Sequence, residues 1–66
     1  MFIVKQTFTN ETVCSVKNKE ELMKFIGKRA IEDNYGMYRH WVKDGIAYFD
    51  CGPRTYYVDA DVLKTE

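Results

Sequence analysis

Proline is nearly absent, glycine is sparse, and only two cysteines occur, Cys14 and Cys51. Two cysteines are too few for the disulfide framework that small secreted domains rely on, so both read as reduced, buried thiols acting as small apolar residues. The single proline, Pro53, sits beside Gly52, and the glycines are scattered, which leaves neither a phosphate-cradling glycine loop nor a flexible linker. No apolar run exceeds a few residues, whereas a membrane span needs about 20 and a signal-peptide core about 7–15. Net charge is missing too: ten Lys and Arg balance ten Asp and Glu. That argues against DNA coating, nucleic-acid mimicry and polybasic membrane adsorption, all of which want a strong charge of one sign. The chain reads as soluble, intracellular and free-standing, with a cytoplasmic location.

What is present points to sheet. Six Val, four Ile and ten aromatics outweigh two Leu, and β-branched and aromatic side chains suit a pleated, half-buried surface. At 66 residues there is room for a single compact domain, 1–66, which buries only about 60% of its unfolded surface.

Phe2 to Phe8 alternates as a first strand, with Phe2, Val4, Gln6 and Phe8 on one face. Thr9 to Thr12 breaks it, and Val13 to Lys17 reads as a second strand. Asn18 is a favoured helix N-cap, and Glu21 three residues on completes a capping-box pattern. The helix is expected from Lys19 to Asn34 or Tyr35. Its apolar stripe is Leu22, Phe25, Ile26 and Ala30, with Met23 and Ile31 on the flanks. Spacing pairs Glu20 with Lys24, Lys28 with Glu32 and Arg29 with Asp33. Gly36 is placed to terminate it, and Gly27 inside it suggests close packing.

The second half is the most legible. Met37 to Lys43 and Ile46 to Cys51 flank Asp44-Gly45, a strong two-residue hairpin signal. Such a turn sets Lys43 opposite Ile46, Val42 opposite Ala47, Trp41 opposite Tyr48, His40 opposite Phe49, Arg39 opposite Asp50 and Tyr38 opposite Cys51. Opposed residues share a face. Gly52 to Arg54 makes the next turn, Thr55 to Val58 a last strand, and Asp59 or Asp61 caps a terminal turn through Val62 to Lys64. The expected architecture is α+β: a small antiparallel sheet in the order β-β-α-β-β-β, with one helix packed on one face.

A sheet covered by one helix has one wet face. The helix is expected over the side with fewer charges: Tyr38, His40, Val42, Ala47, Phe49 and Cys51. Met37, Arg39, Trp41, Lys43, Ile46, Tyr48 and Asp50 then face solvent, as an exposed Trp–Tyr pair with an apolar margin and a charged rim. That composition resembles a binding hot spot. Arg54, Tyr56 and Tyr57 are secondary binding candidates, since one of two adjacent strand tyrosines must point outward. The same pair also stabilises a small sheet by roughly 0.2–1 kcal/mol, and the segment after Val58 has the length to fold over this face and bury it.

No catalytic constellation emerges. His40, the only histidine, falls on the core-side face opposite Phe49 and reads as a structural histidine. A Cys–His pair with Cys51 lacks an orienting third group, and no metal-ligand spacing or cofactor motif is present. The expected function is that of a non-enzymatic regulator or inhibitor that docks the aromatic face, or a sheet edge, on a larger protein. Its size would suit a phage- or plasmid-type effector of a host protein. The alternative is single-stranded nucleic-acid binding by the same face, with Arg39, Lys43 and Arg54 and the helix cations Lys24, Lys28 and Arg29. Acidic partners beside nearly every one of these cations weigh against it. A homodimer through the apolar face or an unpaired edge is a further possibility.

Overall fold

A computed structural model of the protein describes residues 1–34 and 36–65, without the side chains of residues 33 and 34. Its elements are β1 (Phe2–Gln6), β2 (Thr12–Val16), α1 (Lys19–Asn34), β3 (Arg39–Lys43), β4 (Ile46–Asp50), β5 (Thr55–Asp59) and a 3-10 helix (Ala60–Lys64). The strands form one antiparallel sheet in the spatial order β2-β1-β5-β4-β3. The fold is therefore α+β with the expected element order. Among the described residues no helix is long and apolar enough to cross a membrane.

Local chemistry accounts for the turns. Asp44 and Gly45 have φ of 54° and 77°, the left-handed pair that a type I′ hairpin requires. The five pairs from Lys43–Ile46 to Arg39–Asp50 follow in the expected register, while Tyr38 lies beyond the strand. Asn18 caps α1, its Oδ1 accepting from the Glu21 amide at 3.0 Å. Glu21 reaches back one residue further than a capping box would, its carboxylate accepting from the Lys17 amide at 2.8 Å. At the other end Gly36, with φ of 87°, donates its N–H to the Ala30 carbonyl at 2.8 Å. Tyr35 and the expected Arg29–Asp33 pair lie outside the described residues. Glu32 pairs with Arg29 at 3.7 Å rather than with Lys28.

The first hairpin closes earlier than alternation implies. The Gln6 amide donates to the Glu11 carbonyl at 2.9 Å and the Asn10 amide to the Gln6 carbonyl at 2.8 Å, ending β1 at Gln6. Phe8, expected in the strand beside Phe2 and Val4, instead sits in the turn, 81% exposed.

The core is built from one face of the sheet, one stripe of the helix and the chain's last turn. Val4, Val16, Ala47, Phe49, Tyr56 and Val58 meet Leu22, Ile26 and Ala30, with Cys51 and Val62 closing the ends. Phe25 packs edge-on against Tyr56 at 5.5 Å between ring centres. The 3-10 helix is capped by Asp59, whose carboxylate accepts from the Asp61 amide at 2.9 Å. It packs toward the helix side: Val62 is buried, and Thr65 Oγ1 accepts from the Lys19 amide at 2.7 Å. As far as Thr65, the segment after β5 thus does not fold across the opposite sheet face.

The helix covers less of the sheet than expected. Five strands at about 4.8 Å spacing are roughly 19 Å wide, whereas a helix is about 10–12 Å across with its side chains. Ala47 and Phe49 on β4 are covered, but their partners on β3 are not. His40 and Val42, assigned by parity to the buried side, are both exposed, Val42 by 55%. Parity chose their side correctly; the helix does not reach that far.

Gly27 also departs from expectation. A methyl group placed on it would meet nothing within 4 Å, so no close packing demands glycine there. Gly27→Ala is expected to stabilise the protein by about 0.4–1 kcal/mol, since the unfolded chain loses freedom and no clash offsets it. Urea denaturation would show a raised midpoint with an unchanged slope.

Candidate functional site

The face of the sheet turned away from α1 carries a transverse row that crosses every strand. Trp41 on β3 opposes Tyr48 on β4, Tyr48 opposes Tyr57 on β5, Tyr57 opposes Lys5 on β1, and Lys5 opposes Thr12 on β2. The hairpin register alone aligns the first two residues. The third arrives because β5, from the far end of the chain, inserts between β4 and β1.

The rings in this row touch. The indole of Trp41 and the ring of Tyr48 stack at 5.5 Å with planes 12° apart, and Tyr48 meets Tyr57 at 6.3 Å and 38°. Near-parallel planes at such a separation form an offset stack, so Trp41 and Tyr48 each cover one face of the other. The Tyr57 hydroxyl donates to Asn10 Oδ1 at 2.8 Å, tying the row to the first hairpin. Trp41 remains 44% exposed, while Tyr48 and Tyr57 are half-buried.

Charged residues border the row. On one side Arg39 Nη2 bridges to Asp50 Oδ2 at 3.1 Å, and the other Asp50 oxygen accepts from the Gly52 amide at 3.2 Å. On the other side lie Lys43, the half-buried Ile46 and Asp59 in one cross-strand line. Met37, exposed just before β3, lines a shallow depression of about 470 Å³ with Tyr38, Arg39, Asp50 and Gly52. The structure thus brings Arg39, Trp41, Lys43, Ile46, Tyr48 and Asp50 onto one face, with Met37 at its end. Among the secondary candidates, Tyr57 joins that face and Arg54 is exposed in the turn between β4 and β5. Tyr56 is withdrawn: it is 1% exposed and packs against Phe25, leaving a partner nothing to contact.

Sequence reasoning missed the helix-side margin of β3. Lys19, Met23, Tyr38, His40, Phe49 and Leu63 line a second depression of about 280 Å³ where the helix stops short of the edge strand. The His40 ring stacks over Phe49 at 6.0 Å, and the Tyr38 hydroxyl points to the Met23 sulfur at 4.0 Å. Its only signal in the sequence was the persistence of aromatic residues, Tyr38 and His40, on a strand position taken as core.

Among the described residues no cluster of His, Cys, Asp and Glu has the makings of a metal site. Neither cysteine is in a disulfide; Cys51 is fully buried and Cys14 partly so. Burial raises the Cys14 thiol pKa above its ordinary value, partly opposed by the positive charge of Arg29. The nucleophilic thiolate is therefore scarce near neutral pH. Iodoacetamide at pH 8 is expected to modify Cys14 more slowly than free cysteine, and Cys51 only after denaturation, as mass spectrometry of the labelled protein would show. No protein-family model, curated protein or solved structure matches the chain.

Proposed function

We propose that the protein is a non-enzymatic protein-binding regulator that docks the open aromatic face of its sheet, together with the adjoining margin of β3, on a larger protein. The observation that carries this is the uncovered Trp41–Tyr48–Tyr57 row, from which the C-terminal segment turns away. Aromatic groups with an arginine and a polar margin have the make-up of interface anchors. A standard interface takes about 800 Å² from each partner, which this chain supplies from less than a fifth of its 4520 Å² surface.

Ring geometry favours a protein over unpaired bases as the ligand. A base-stacking platform needs free ring faces, whereas Trp41 and Tyr48 each already cover one face of the other and Tyr57 flanks Tyr48. The guanidinium of Arg39 is engaged by Asp50, so the rim is polar rather than uniformly cationic.

The test is the Trp41→Ala/Tyr48→Ala double variant. It is expected to keep the far-UV circular dichroism of the parent, because both rings lie outside the core, and to lose more than about 2 kcal/mol of affinity, roughly thirtyfold, for a protein partner captured from the source cells. Unchanged affinity, or collapse of the fold, removes the open face as a docking site. Capture abolished by nuclease, with direct oligonucleotide binding that falls steeply with salt, would assign the same face to nucleic acid.

A further inference from the structure

We propose that the free edge of β3 is a strand-addition site for an extended protein segment in which apolar residues alternate with carboxylates. This rests on the protein-binding reading above and names the chemistry of the partner. β3 closes one side of the sheet and, among the described residues, is paired with β4 alone. The two-residue Asp44-Gly45 turn makes Lys43 and Ile46 a mutually hydrogen-bonded pair, and alternation then turns the main-chain groups of Arg39, Trp41 and Lys43 toward β4. Those of His40 and Val42 point out of the sheet and, among the described residues, form an unused ladder into which another strand can bond. The opposite edge is irregular. The β1–β2 register shifts between Val4 and Lys5, the kind of bulge that blunts strand addition.

The two sides of β3 differ, and an added strand alternates between them. Side chains beside His40 would enter the depression formed by Met23, Tyr38, Phe49 and Leu63, which takes apolar groups. Side chains on the other side would lie along Arg39, Trp41 and Lys43. In a chain of zero net charge, β3 concentrates Arg39 and Lys43 and holds no carboxylate. Of the acidic residues on this hairpin, Asp44 lies in the turn and Asp50 is held by Arg39. Among the described residues neither Lys43 nor Lys19 makes an ion pair, and the Arg39 side chain is 84% exposed despite its bridge. Charge complementarity therefore selects carboxylates. A second copy of the chain is the poorer occupant, since it would bring two sets of Arg39 and Lys43 onto one seam.

The experiment is amide hydrogen exchange by NMR on the full chain, titrated with a blocked decapeptide of alternating Val and Asp. The expected result is at least tenfold slower exchange at His40 and Val42, which should exchange readily in the free protein, with Trp41 and Lys43 protected throughout. An alternating Val/Lys peptide should give no such protection. Val42→Pro removes one outward N–H without touching a bond to β4, as edge strands tolerate, and should abolish the effect. Lys43→Glu leaves the backbone intact, so it keeps the idea open to refutation if the proline variant misfolds; it should weaken the Val/Asp peptide at least tenfold and admit the Val/Lys one. Equal protection by both peptides, or none by either, overturns the proposal. So does a concentration-dependent dimer in sedimentation that Val42→Pro dissolves, which would assign the edge to a second copy. Loss of the edge effect with the Trp41/Tyr48 dependence of capture intact leaves the open face as the docking site. Peptide protection with capture indifferent to Trp41 and Tyr48 keeps the edge and discards the face.

Discussion

One helix cannot cover five antiparallel strands, and that mismatch of widths shapes the exposed surface of this protein. A helix about 10–12 Å across lies over a sheet roughly 19 Å wide, with its buried stripe of Leu22, Ile26 and Ala30 seated over the covered part of the sheet. The 3-10 helix extends the cover a little through Val62 and Leu63. It leaves β3 wet on both sides, exposed at every residue. The rim strand β3 contributes little to the core and, for that reason, is free to present its residues to something else.

The aromatic row is both a structural device and the candidate docking surface. Aromatic side chains in contact across β3, β4 and β5 contribute about 0.5–1.5 kcal/mol per pair beyond the area they bury, a meaningful share for so small a domain. The same stacking holds the indole of Trp41 in a defined orientation before any partner arrives. Less side-chain freedom is then lost on binding, which is how rigid aromatic anchors gain affinity. Stability and recognition thus draw on the same contacts rather than competing.

Local rules account for much of what the sequence disclosed. The demand of a type I′ turn for two left-handed residues picks out Asp44-Gly45, and the pleat's period of two then carries every side chain from Arg39 to Asp50 to its correct side. Asn18 as a cap and the Leu22–Ile26–Ala30 stripe were legible for similarly local reasons. Phe8 was misplaced because its hydrophobicity continued the strand pattern while the backbone had already turned at Gln6. Tyr56 and Tyr57 were known to diverge, but which faced outward depended on pairing with β1 and β4, far away in the chain.

Taken alone, the sequence settled the element order, the register of the Asp44-Gly45 hairpin and the side of the sheet that each residue of that hairpin occupies, because turn chemistry and strand alternation act over a few neighbouring residues. Only the tertiary structure decided that β5 lies between β1 and β4, that Tyr57 completes the row begun by Trp41, and that β3 ends up on the rim beyond the helix's reach. Strand order is set by long-range pairing and shared burial. His40 and Val42 therefore sit on the helix side by parity and in water by topology.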